Sequence, residues 1–204
     1  KTVIAMLAAL MVARNGAQTA IMAPTSILAE QHYKSFCRLM VGENRLEEGQ
    51  IRLLTGDTGT ADRASIQEGL ASGYIKVLIG THTLIEDPVS FKDLQLTIID
   101  EQHRFGVDQR AALRSKGTNP HLLVMTATPI PRTLYMSMMG IRDLSIIDTP
   151  PVDRLAVKTF VSRFSEELIR EAVMRELRRG GQVFFVHNRV QTIAKRAELL
   201  AEIV

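Results

Sequence analysis

What this chain of 204 residues has little of narrows it first. It carries one cysteine, Cys37, so no disulfide can close within it, and a reducing cytoplasm suits it better than a secreted, disulfide-stapled scaffold. Its longest apolar run, VIAMLAALMVA from Val3 to Ala13, is too short to cross a bilayer, which takes about 20 residues. Behind Lys1 that run imitates the hydrophobic part of a signal peptide. Such a start needs an initiator Met and a cleavage site, and this chain opens on lysine. Charge of one sign is also scarce: a net +3 and a pI near 9.2 permit a nucleic-acid partner without pointing to one. No low-complexity tract and no short-period repeat is present.

What is there is alternation. After the helix-like opening, QTAIMAPT (18–25) reads as a short buried strand, and SILAEQHYKSFCRLM (26–40) as an amphipathic helix capped by Thr25 or Ser26. IRLLTG (51–56) is strand-like, TADRASIQEGLASG (60–73) a helix ended by Gly73, and KVLIGTH (76–82) a strand again. LQLTIID (94–100), HLLVMTA (121–127) and LSIID (144–148) are Val, Ile and Leu runs of the kind found in strands covered on both faces. Strands separated by helices predict an α/β domain with a central parallel sheet, whose ligands sit beyond the carboxyl ends of the strands.

Two prolines in DTPPVDR (148–154) mark a linker between a first domain over 1–148 and the beginning of a second over 155–204, with the linker proper at 149–154. In the second, LAVKTFV (155–161) and QVFFVHN (182–188) read as strands. SEELIREAVMRELRRGG (165–181) between them is a helix with Ser165 as cap, acids in its first turn and arginines in its last. The chain's last residues stop inside a helical pattern, so both ends read as interior to a longer protein.

The chemistry gathers at strand ends. TIIDEQHRFG (97–106) is an apolar run that ends in two adjacent acids, and carboxylates are seldom left inside a fold without a partner. At the tip of a sheet strand Asp100 can hold Mg²⁺ and Glu101 can orient and deprotonate an attacking water. The plainer alternative is a pair of acids in the first turn of a helix, where the dipole favours them. Lys1 and Thr2 ahead of a helix match the last two residues of a phosphate-binding loop, with lysine for the β and γ phosphates and the threonine hydroxyl for Mg²⁺.

Taken in order, KT opening a helix, MAPTSILAEQH (22–32), IGTH (79–82), DEQH (100–103) and TATPIPRTL (126–134) resemble motifs I, Ia, Ic, II and III of superfamily 2 helicases. DEQHRFGV followed by MTATPIPRTL is similar to the RecG and Mfd branch, which are double-stranded DNA translocases. The first two thirds look more like RecG. MSMMGIRDLSIIDTPPVDRLAVKTFV and LRRGGQVFFVHN look more like Mfd.

The resemblance implies a RecA-like P-loop NTPase fold, one nearly complete lobe and the start of a second, using ATP and Mg²⁺. It makes Lys1 and Thr2 the nucleotide-binding residues and Thr2 and Asp100 the metal-binding ones. Glu101 becomes the catalytic base, with Asp100 and His103 in the same catalytic group and His103 coupling the site to motif III. Thr126, Thr128 and Arg132 would couple nucleotide state to DNA. Thr126 and Thr128 also read as simple backbone caps, and Arg132 as a surface residue in a turn. Pro24, Thr25, Thr81 and His82 would touch the nucleic-acid backbone, though for His82 alone a satisfied core histidine is the plainer reading. His187 and Asn188 stand where motif IV falls, and Asn188 reads equally well as a turn residue. Nothing resembles motifs V and VI, whose arginines complete the site, so this stretch alone is expected to hydrolyse ATP poorly.

The partners implied are double-stranded or branched DNA, RNA polymerase if the protein is Mfd-like, and no membrane. Two other readings remain: an RNA helicase of the same superfamily, which RNA rather than duplex DNA would stimulate, and a non-catalytic module that holds RNA polymerase or a repair partner. The intact DEQH and TAT weigh against the second.

Overall fold

The apolar runs of the first 148 residues form five strands, β1 Gln18–Met22, β2 Ile51–Leu54, β3 Val77–Gly80, β4 Leu94–Asp100 and β5 His121–Met125. All pair in parallel, in the order β2-β3-β1-β4-β5. The computed structural model describes residues 1–42, 45–86, 89–101, 104–127, 143–149 and 157–204. The chain divides into two units, Lys1–Asp148 and Thr149–Val204.

Side chains alternate along each strand, and in the first unit both faces are covered. Ile21, Ile51, Val77, Ile79, Leu96 and Ile98 point into one core. They meet Ala5, Met6, Ala9 and Ala13 of α1 (Thr2–Arg14) and Ala29, Phe36 and Met40 of α2 (Ser26–Met40). Ala20, Met22, Leu78 and Ile99 point the other way, against Ile66 and Leu70 of α3 (Thr60–Ser72) and Leu113 of α4 (Val107–Ser115). Burying each of the large aliphatic side chains favours folding by about 1.5–3 kcal/mol.

The element ends follow the residues that mark them. Thr25 caps α2 by accepting a hydrogen bond from the Leu28 amide at 3.3 Å. Gly73 ends α3 in the left-handed region at φ 81°. At the amino end of the sheet, buried Gln18 donates to the carbonyls of Leu70 and Ile75 at 3.0 and 2.8 Å and accepts from the Asp93 amide at 2.9 Å. One amide thus satisfies three backbone groups that would otherwise lose water, and ties β1 to the segments around α3 and β4.

Among its described residues the second unit holds two α-helices, α5 Glu166–Arg178 and α6 Ile193–Ile203. Ser165 caps α5, accepting from the Leu168 amide at 3.3 Å, and Arg196 stacks over the Phe164 ring, 5.3 Å from its centroid. Where strands are expected over 144–148, 155–161 and 182–188, the described residues adopt none, and residues 155 and 156 lie outside the described residues. Ile146, Val157, Phe160, Val161, Phe184 and Val186 stay exposed. A strand exists only through the ladder it makes with a neighbour, and among the described residues these runs find none. Residues 150–154 of the expected linker lie outside the described residues.

Two substitutions test the packing. A Cβ on Gly80 would lie 2.2 Å from the Leu54 carbonyl oxygen and 2.9 Å from Leu84 Cδ2. Gly80→Ala is therefore expected to destabilise by about 1–3 kcal/mol, read as a lower thermal midpoint. Thr19 is fully buried in β1, and its hydroxyl has no partner among the described residues. Thr19→Val is expected to stabilise by about 1 kcal/mol in the same measurement, since it removes that desolvated group without changing shape.

Candidate active site

The central strand β1 and its neighbour β4 lead away in opposite directions, β1 through α2 to β2 and β4 through α4 to β5. Such a reversal leaves a crevice beyond the carboxyl ends of the strands, and β4 delivers Asp100 and Glu101 there. The Glu101 amide donates to the Met125 carbonyl at 2.9 Å, extending the ladder to β5, and to Asp100 Oδ1 at 3.0 Å.

Glu101 itself has φ 49°, a left-handed conformation that costs a residue with a Cβ about 1–2 kcal/mol. The turn is closed by the Arg104 amide, which donates to the Glu101 carbonyl at 2.9 Å. The side chain meets β5's end, where Thr126 Oγ1 donates to Glu101 Oε2 at 3.3 Å. These acids do not belong to the first turn of α4, whose acid there is Asp108.

Asp100 has a partner that the motif reading passed over. His32, buried on the core-facing side of α2, places Nε2 2.8 Å from Asp100 Oδ2. Its signal lay in the helix pattern: Ala29, His32, Phe36 and Met40 form one buried stripe, and a polar residue on such a stripe needs a partner. Burial alone would push the Asp100 carboxyl up. The His32 hydrogen bond and charge, then the Glu101 amide and the more distant Lys1 charge, outweigh it and hold the group below the usual carboxylate range. Asp100 is thus a half-buried, ionised carboxylate with both oxygens engaged.

The other expected residues lie as follows. Lys1 is exposed and caps α1 with backbone groups only, and Thr2 is the half-buried first residue of that helix. Half-buried Pro24 and exposed Thr25 follow β1. Thr81 and His82 follow β3, with Thr81 buried and 3.5 Å from the Thr83 hydroxyl, which donates to the Leu54 carbonyl at 2.9 Å. The strand stops at Gly80, so His82 opens a short 3-10 turn and is exposed. The reading of His82 as a core histidine is corrected by that exposure. The Pro24–Thr25, Thr81–His82, Asp100–Glu101 and Thr126 tips thus share the carboxyl edge of one sheet. In the second unit, His187 Nε2 lies 2.7 Å from Thr192 Oγ1, and Asn188 is exposed. His103, Thr128 and Arg132 lie outside the described residues.

The donors present fit magnesium held together with substrate phosphates. Mg²⁺ is bound through one or two carboxylates and keeps much of its water, and Asp100 supplies one fixed, ionised carboxylate, with the Thr2 hydroxyl a second candidate. Among the described residues no group of three or more His, Cys, Asp or Glu could enclose a metal alone, and no helix is long and apolar enough to cross a membrane.

The chain is 46% identical over 206 aligned residues to the transcription-repair-coupling factor of Escherichia coli (strain K12), covering all of this chain and 17% of that protein. It is 42% identical to the factor of the same description from Bacillus subtilis (strain 168), again over all of this chain and 17% of the relative. The chain therefore spans about one sixth of the length of these relatives. Among solved structures, RecG bound to a three-way DNA junction superposes with a TM-score of 0.75 at 40% identity, covering 98% of this chain and 26% of RecG. The Hef helicase domain of Pyrococcus furiosus follows with a TM-score of 0.56 at 25% identity, covering 88% of this chain and 41% of that one. The family model for DEAD/DEAH box helicases matches residues 1–137, and the chain belongs to that family.

Proposed function

We propose that this chain is the motor core of an ATP-dependent double-stranded DNA translocase working in DNA repair or recombination in the cytoplasm. The observation that carries the reading is the pair at the tip of β4: Asp100 ionised and pinned, and Glu101 turned by its positive φ to meet Thr126 just after β5. Two adjacent carboxylates in different surroundings fit two different tasks. Similarity to transcription-repair-coupling factors and to a junction-bound RecG supports DNA rather than RNA as the track.

In this reading Lys1 and Thr2 bind the nucleotide's phosphates, and Asp100 and Thr2 hold the metal. Mg²⁺, when bound, neutralises charge that builds on the transferring phosphoryl group. Glu101 orients the attacking water and accepts its proton on the carboxylate. Thr126 donates to the same carboxylate, so a change at the base is felt at the end of β5; His103 would couple the site to the 126–134 motif, in which Thr126, Thr128 and Arg132 would couple nucleotide state to DNA. Pro24, Thr25, Thr81 and His82 contact the DNA backbone, where hydroxyls and free amides bind phosphates without reading bases, as movement along any sequence requires. Residues 1–148 act as the first lobe and 155–204 as the beginning of the second, with alternating closure moving the duplex. Identity over the whole chain to factors that couple transcription to repair favours RNA polymerase as a further partner.

In the complete protein, Glu101→Gln is expected to retain ATP binding and to lose DNA-stimulated hydrolysis by a factor of about 100 or more, the contribution of a positioned general base. Normal DNA-stimulated turnover in that variant would remove Glu101 from the role. A second test uses acid stability. Because folding holds the Asp100 carboxyl below its ordinary value, the ionised form stabilises the fold fully above about pH 4, and that contribution disappears as the pH falls through the lowered value. The difference in thermal midpoint between the wild type and Asp100→Asn should therefore be largest near neutrality and shrink below pH 4. A difference that stays constant with pH would contradict it.

A further inference from the structure

We propose that His32 is a positioning residue for the site: through its hydrogen bond from α2 it fixes the orientation in which Asp100 presents its carboxylate to Mg²⁺. The inference rests on the reading of Asp100 as the metal-holding residue.

A carboxylate on a short side chain turns easily, because its terminal torsion is broad and roughly two-fold. Here both oxygens are addressed, Oδ1 by the Glu101 amide at 3.0 Å and Oδ2 by His32 Nε2 at 2.8 Å. Each oxygen has a second lone-pair direction, so this clamp leaves acceptor capacity for a metal or its bound water. The amide belongs to the residue next in sequence and moves with the strand tip. His32 comes from 68 residues away on a different element, so it sets the carboxylate against the rest of the fold.

Stability alone does not account for a histidine at this place. The stripe it occupies on α2 is otherwise Ala29, Phe36 and Met40, and apolar residues at both 32 and 100 would pack there without desolvating two polar groups. Replacing both partners of a buried hydrogen-bonded pair with apolar side chains of the same shape is often neutral or stabilising, so its presence points to what it orients. Loss of a partner that holds a ligating side chain in this way typically costs about 10–100-fold in metal affinity or activity.

The helix adds a consequence. Its first residue follows Thr25, so the tip after β1 and His32 ride on one element, seven residues or about 10 Å apart. Displacement of that tip is transmitted to the Asp100 carboxylate through a single hydrogen bond.

The test is made on the complete protein with a fluorescent ATP analogue, titrated with MgCl₂ and separately in EDTA. His32→Leu fills the stripe and removes the donor, while His32→Gln restores an N–H donor near the same place. The Leu variant should need about 10–100-fold more Mg²⁺ to tighten nucleotide binding, with affinity in EDTA unchanged, and the Gln variant should recover most of the difference. A merely structural role would move the thermal midpoint but not the Mg²⁺ requirement. A folded Leu variant with the wild-type Mg²⁺ requirement overturns the inference. If that variant fails to fold, His32→Phe, which keeps the ring volume without the donor, is read in the same way. Wild-type binding that ignores Mg²⁺ would overturn the assignment of Asp100 and the inference with it. A wild type that responds to Mg²⁺ beside a Leu variant that responds equally would overturn the inference alone.

Discussion

The pairing of β1 with β3 on one side and β4 on the other decides where every functional tip in the first unit ends. Met22 lies opposite both Gly80 and Ile99, so the chain leaves all three strands at nearly the same level. Because the ladder is parallel, those exits are all carboxyl ends, and the polar residues after them gather along one edge. A slip of one residue in β4 would turn its side chains to the opposite faces and exchange the surroundings of Asp100 and Glu101. Register is held firmly because both faces are buried: Ile98 and Ile99 are each fully enclosed, in different cores. The site inherits its precision from the packing beneath it.

At the tip the fold does the reverse and accepts strain. Glu101 sits in a conformation that glycine would adopt at less cost, held by its amide to Met125, its carbonyl to Arg104 and its side chain to Thr126. The strain gives a sharp exit from the strand, so that two consecutive residues do not simply point to opposite faces. Asp100 is drawn toward α2 and Glu101 toward β5. An uninterrupted strand would have sent one of the two into a core, where an ionised carboxylate without a partner is costly.

Much of the first unit is legible in the sequence because local and long-range signals agree there. The span of α2 follows from a capping threonine and a helical stripe, and β4 from an uninterrupted Ile-rich run ended by acids. His32 was hidden by the opposite circumstance. It stood inside a recognised motif and was read with it, although its place on the apolar stripe marked it as a buried group in need of a partner. That partner, 68 residues away, is a tertiary fact that no local pattern contains. His82 shows the same limit from the other side: taken alone it reads as a core histidine, whereas the strand ends at Gly80 and the side chain is exposed. In the second unit the helix α5 formed where its cap and charges indicated, because a helix satisfies its backbone from within. The Val and Phe runs around it carry strand character too, but a strand must borrow its hydrogen bonds from another segment.

That contrast bears on the proposed motor, which would both hold a nucleotide and respond to a track. The two carboxylates at the tip of β4 are each fixed by a residue from another element: Asp100 by His32 of α2, and Glu101 by Thr126 at the end of β5. Neither carboxylate is set by its own strand alone. The elements that hold them lead to the tips after β1 and β5, so any ligand that displaces one of those tips changes the geometry at a carboxylate, and any change at a carboxylate loads the tip. Mutual dependence of this kind is what a coupling free energy between two sites requires in structural terms, since each ligand must alter the contacts on which the other relies.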